Sequence, residues 1–148
     1  MAGELTLRVI TPDRIALDTR VEFVRLPGAD GVLGILPRHA PMVAALAIGQ
    51  LFYVEQGKRK ALFVSEGFAE VRSNTVRVVC EAGELPEEID EARAKEAEKR
   101  ARERLDKKGK TMTEGEVLDL MRAEAALRRA IMRLSVHSTK AGHERVRT

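Results

Sequence analysis

The placement of proline and glycine constrains this chain more than any other feature. All five prolines, at positions 12, 27, 37, 41 and 86, lie at or before residue 86, and so do eight of the eleven glycines. The remainder is rich in Ala, Glu, Lys and Arg. Proline removes a backbone donor and fixes φ, and glycine weakens regular elements, so a segment holding both breaks into short pieces joined by turns. A segment nearly free of them can run as long helices. A structural boundary is therefore expected near Gly83–Glu88.

The front part reads as short strands. Leu5, Leu7 and Val9 alternate with Thr6 and Arg8, the period of a half-buried strand. Thr11-Pro12-Asp13 signals a turn. Val21–Leu26 reads as the second strand, closed by Pro27-Gly28, and Met42–Ile48 is an apolar run ended by Gly49. Two hairpins follow, one turning at Gln56-Gly57-Lys58 and one at Ser73-Asn74. Strands this short and this closely spaced suggest a sandwich or barrel.

The back part reads as two helices. Pro86 suits a helix start, Ile89–Lys107 runs unbroken, and Gly109 fits a C-terminal cap. Thr113 and Glu116 form a capping box for a second helix. The connection is about five residues, which favours an antiparallel hairpin. At 100° per residue, Ala94, Ala97, Ala101 and Leu105 share one face of the first helix. Leu120, Leu127, Ile131 and Leu134 share one face of the second and can meet it. A further stripe on the second helix, Leu118, Met121, Ala125 and Met132, needs another cover, either the sandwich or a partner protein. Each buried CH₂ contributes about 0.8 kcal/mol, so an alanine face is a weak seam and suits an element that switches. Gly115 weakens the second helix near its start.

The fold expected is thus α+β: an antiparallel β-sandwich over residues 1–85, a helical hairpin over 88–136, and a disordered tail over 137–148. Aromatic content of 3% makes the core aliphatic. Cys80 is the single cysteine, which excludes a disulfide framework and makes a reducing setting the default. No signal peptide or transmembrane run is visible, so no membrane insertion is expected. Residues 1–87 carry 10 basic and 11 acidic side chains, whereas 88–148 carry 16 and 12. That basic excess fits an acidic protein surface, a phosphate ligand or nucleic acid without choosing among them.

The segment Gly28-Ala29-Asp30-Gly31-Val32-Leu33-Gly34-Ile35-Leu36-Pro37-Arg38-His39-Ala40-Pro41 carries more information. Its glycines alone do not make a triphosphate loop, because no Lys-Ser/Thr follows. Read by itself it is a surface loop, with His39 a loop or interface histidine rather than a metal ligand, and His137 and His143 solvated near the tail. The segment closely resembles a signature of the epsilon subunits of bacterial F-type ATP synthases. Ser65–Val71, Ile89–Ala94 and Ala123–Ala130 match in family order, and the likeness spans residue 4 to about 136.

That resemblance implies a non-catalytic rotor subunit of a proton- or sodium-translocating ATP synthase, peripheral on the cytoplasmic face of the cell membrane. The sandwich would join the gamma subunit and the c-ring, the latter through Asp30, Gly31, Val32, Leu33 and His39. The hairpin, when extended, would reach the alpha/beta head and inhibit ATP hydrolysis, with Arg122, Arg128, Arg129 and Arg133 meeting acidic residues of beta. No cofactor is required, but ATP enters as a regulatory ligand. Some relatives bind it at an I/L-D-x-x-R-A motif, matched here by Ile89, Asp90, Arg93 and Ala94. Comparison adds Glu84, Arg100, Arg129 and Arg133. Arginines from two helices can grip a triphosphate by charge-assisted bonds, while Glu84 or Asp90 accepts from adenine or orients an arginine. The same arginines also fit ordinary solvated helix faces.

Two rival classes are less well served. No Ser-His-Asp, Cys-His or metal-ligand set marks an enzyme, and Glu66 and Glu70 read as solvent-facing. A nucleic-acid binder needs stacking aromatics in a basic groove, and Tyr53 is the only tyrosine.

Overall fold

The computed structural model describes residues 3–107 and 113–142, with side chains to residue 140. Ten strands come first: β1 (Leu5–Ile10), β2 (Ile15–Val21), β3 (Phe23–Gly28), β4 (Gly31–Ile35), β5 (Met42–Leu46), β6 (Gly49–Glu55), β7 (Lys58–Val64), β8 (Gly67–Arg72), β9 (Thr75–Cys80) and β10 (Gly83–Glu84). A 3₁₀ turn, Pro86–Glu88, leads into α1 (Glu91–Asp106) and then α2 (Glu114–Gly142). The strands pair in the order β10-β7-β6-β3-β5-β8-β9-β1-β2, with β4 on β3. The sheet folds over an aliphatic core that includes Leu5, Leu7, Val9, Leu51, Leu62 and Val76, all at or below 1% exposure. Pairing is antiparallel except between β1 and β9, which run parallel.

The turns explain the registers. Gln56 and Gly57 both have positive φ, as do Ser73 and Asn74. Two consecutive positive φ values make the tight hairpin turn whose twist matches that of its strands, and both expected hairpins form this way. Gly67 is required by close approach: a Cβ there would stand 2.0 Å from the Val79 carbonyl oxygen.

Several expectations need correction. Ile15–Val21 is a strand, and Glu22 separates it from β3, so Val21–Leu26 is not one element. The Gly28–Ile35 segment is not a loop but a hairpin, with Gly28 paired to Gly31 and Val24 to Ile35. Pro86 opens a 3₁₀ turn, and α1 begins later, behind Asp90 as its N-cap. Residues 137–142 are helical rather than disordered, because α2 continues to Gly142, while 143–148 lie outside the described residues. That extension has a reason in packing. Val136 is fully buried with Ile48, Phe63 and Ile89 in a second core that docks the hairpin on the sandwich. His137 is correspondingly only partly solvated: its Nε2 lies 3.3 Å from Glu91 and its Nδ1 3.4 Å from the Pro86 carbonyl oxygen.

The capping box at α2 forms as expected. Glu116 N donates to Thr113 Oγ1 at 3.3 Å, and Thr113 N donates to Glu116 Oε2 at 2.7 Å. The helix seam differs from expectation on one side. Ala94 and Ala101 of α1 are buried, but on α2 the buried residues opposite are Ala123 and Ala130, flanked by half-buried Leu120, Leu127 and Leu134, and Ile131 is exposed. Alanine thus meets alanine, which lets the helices approach closely and buries little apolar surface. The further stripe divides. Ala125 and Met132 pack on the docking core, whereas Leu118 and Met121 are exposed.

Candidate functional site

Where β10, the 3₁₀ turn and the two helices converge, they leave a cleft of about 490 Å³. Five of the six residues expected to contact a nucleotide line it: Glu84, Asp90, Arg93, Arg100 and Arg133. They come from β10, the α1 cap, two turns of α1 and the middle of α2. Ala94, Ala97 and Ala130 form its floor, so the alanine seam also makes the room. The sixth, Arg129, is not in the cleft; its guanidinium lies 3.9 Å from Glu66, and Glu66 is therefore a docking residue as well as an exposed one.

Each lining residue has a distinct state. Arg133 donates from Nε to Glu84 Oε2 at 2.8 Å, has a terminal nitrogen 2.8 Å from the same oxygen, and stacks over Phe63 with its guanidinium carbon 4.5 Å from the ring centroid. Glu84 is thus engaged with Arg133. Asp90 Oδ1 accepts from the Arg93 backbone N at 3.1 Å, so one of its oxygens belongs to the helix cap. Arg93 makes no ion pair among the described residues, and Arg100 has only an exposed contact with Glu96 at 3.9 Å. Two guanidiniums seven residues apart on one helix face therefore remain free for an anion.

The sequence reading missed two members of the site. Glu88 lines the cleft, and Arg14, on the turn between β1 and β2, grips it. The Arg14 guanidinium donates to both Glu88 oxygens at 2.8 Å and to the Gly83 carbonyl oxygen at 3.1 Å. The bond from Arg14 holds the Glu88 carboxyl below the ordinary carboxylate value, and Glu88 in turn raises Arg14. Arg14 precedes Glu88 by 74 positions, so no local pattern announces the pair.

The remaining candidates lie elsewhere. Asp30, Gly31, Val32 and Leu33 sit at the β3–β4 hairpin tip, where Val32 is 59% exposed and Leu33 leans on the core. Half-buried His39 is near the base of that hairpin, with its Nδ1 2.7 Å from the Ala40 carbonyl oxygen. On α2, Arg129 and Arg133 face the sandwich. Arg122 is exposed, 3.7 Å from Asp119, and Arg128 is exposed.

A sandwich carrying a docked helical pair, with an arginine-lined cleft at the joint, defines a chain built in two parts. Known proteins share this division. The ATP synthase delta/epsilon chain beta-sandwich domain matches residues 4–86, and the corresponding long alpha-helix domain matches residues 87–138. The ATP synthase epsilon chain of Nitratidesulfovibrio vulgaris (strain DP4) is 44% identical over 136 residues, covering 92% of this chain and 97% of the relative. That of Desulfitobacterium hafniense (strain Y51) is 42% identical over 135 residues, covering 91% and 97%. A chain of the Euglena gracilis mitochondrial ATP synthase superposes with a TM-score of 0.71 at 24% identity, covering 95% of this chain and 82% of that one. A chain from the central stalk and c-ring of the Tetrahymena thermophila enzyme does so at 0.57 and 12%, so both speak to the fold alone.

The chain belongs to the epsilon subunits of F-type ATP synthase, and it is a regulatory and structural subunit rather than a catalytic one. Among the described residues no helix is long and apolar enough to cross a membrane.

Proposed function

We propose that this subunit works in the rotor of a proton- or sodium-translocating ATP synthase on the cytoplasmic face of the membrane. The sandwich joins gamma to the c-ring, with the β3–β4 tip and His39 toward the ring. The hairpin inhibits ATP hydrolysis when it extends to the alpha/beta head, and ATP bound in the cleft favours the docked hairpin. The single observation that carries this reading is the cleft itself. Residues far apart in sequence, from Glu84 to Arg133, line one concavity whose walls are the sandwich edge, α1 and α2. A ligand bridging those walls stabilises the docked state by its differential affinity for it. Val32, a large apolar side chain 59% exposed at the hairpin tip, supports the ring contact. Arg129 and Arg133 are engaged with the sandwich while docked and would be released on extension, to meet beta together with Arg122 and Arg128.

Isothermal titration of ATP into the full chain tests the cleft. Binding is expected, and Arg93→Ala is expected to weaken it by at least about tenfold, the loss of one charge-assisted contact to phosphate. No heat at millimolar ATP, or affinity indifferent to Arg93→Ala, would overturn the nucleotide reading.

A further inference from the structure

We propose that Arg14 is a positioning residue for the cleft, keeping it receptive to a polyphosphate by capturing Glu88. The proposal rests on the nucleotide reading above. Three carboxylates, Glu84, Glu88 and Asp90, line the cleft with three guanidiniums, Arg93, Arg100 and Arg133. At neutral pH those charges cancel, so the lining alone gives a polyanion no net attraction. Arg14 stands behind the lining and supplies a fourth guanidinium. Its planar fork meets both oxygens of Glu88 at 2.8 Å, the geometry that fixes a carboxylate most firmly. Leu85 N also donates to Glu88 Oε2, at 2.9 Å, so this carboxylate is held by backbone and side chain together.

The result is a division of labour among the acids. Glu84 is spent on Arg133, Asp90 on the helix cap, and Glu88 on Arg14. Arg93 and Arg100 are left to the ligand. Removing Arg14 leaves a full negative charge on the cleft wall, facing any phosphate bound there. Arg14 also holds the Gly83 carbonyl oxygen, so it ties the linker on both sides of Glu84 to the sandwich. Electrostatic capture and simple bracing of the linker predict different outcomes for a double variant.

The test is isothermal titration of ATP into the full-length wild type, Arg14→Ala, Glu88→Gln and Arg14→Ala/Glu88→Gln, each checked for folding by circular dichroism. Arg14→Ala is expected to weaken ATP binding by about five- to tenfold, the effect of one unscreened charge at short range. The double variant is expected to regain wild-type affinity, because the neutral amide no longer repels phosphate. Glu88→Gln alone is expected to bind at least as tightly as wild type, and this single variant decides the matter if Arg14→Ala does not fold. Unchanged affinity in Arg14→Ala, a double variant that stays weak, or weaker binding by Glu88→Gln overturns the role of Arg14 while wild-type binding still stands. Failure of the wild type to bind ATP overturns the nucleotide reading and this proposal with it.

Discussion

Glu55, on β6, shows how a single side chain ties three strands of the sandwich together. Its carboxylate accepts from Lys60 on the neighbouring strand β7 and from Thr19 on β2, across the closure of the sheet. Those bonds, Lys60 first, favour the ionised form and hold the Glu55 carboxyl below its ordinary value. The sign follows from linkage. A depressed carboxylate contributes stability that is complete above its unfolded-chain value and lost as pH falls through the folded one. Glu55→Gln is therefore expected to cost up to about 1 kcal/mol at pH 7, small because the pair is partly exposed. Urea unfolding should show that gap closing below about pH 4, near the ordinary carboxylate value. A gap independent of pH would mean that the ionised carboxylate is not what matters. Residue-scale legibility was uneven for a physical reason. Arg93 is named by the motif that the family resemblance supplies and Arg100 by comparison with relatives, and helix periodicity adds only that the two share one side. Arg14 and Glu88, or Phe63 beneath Arg133, are brought together by tertiary folding alone, and nothing in their neighbours signals it.

Among the elements, α1 is held with little apolar burial. Its buried residues are Ala94 and Ala101, its other buried support is the Ile89 anchor before it, and its outer surface is a row of i,i+4 pairs such as Glu91–Lys95 and Glu98–Arg102. Such pairs contribute about 0.2–0.5 kcal/mol each, enough to favour helix but not to fix its position. The other helix is anchored by Val136 and the arginine pairs. Ala123→Leu places a large side chain at a buried seam position away from the cleft, and overpacking costs about 1–3 kcal/mol. Hydrogen exchange should show α1 losing protection while β6 and β7 keep theirs. Equal protection in α1 before and after would mean that the seam is looser than its burial implies. The strands were legible where alternation was regular, as in β1. β2 escaped because its buried positions, Ala16 and Val21, are of opposite parity, so its seven residues carry no clean period. β4 escaped because a run of glycines ending in proline looks like a loop until its partner β3 is known.

At the scale of the whole molecule, the chain is a β-sandwich with a helical hairpin docked on it. Docking uses one small apolar core and a few ion pairs, with the cleft at the joint. Such an interface suits a two-state element, because a ligand needs only a few kcal/mol of differential affinity to shift it. The proposal that extension inhibits ATP hydrolysis can be tested by holding the hairpin docked. Gln50 on β6 donates to Ser135 on α2, so the two positions face each other across the joint. Cysteines at Gln50 and Ser135 can be joined by a short bismaleimide that a reductant cleaves. Native Cys80 stays out of that reaction, since it is buried and burial raises its thiol to about 11. The decisive measurement is ATP hydrolysis by the assembled synthase carrying this variant, before joining, after joining and after cleavage. The account predicts that joining raises hydrolysis and cleavage returns it to the starting rate. Hydrolysis that is unchanged or lowered while the hairpin is held on the sandwich would contradict it.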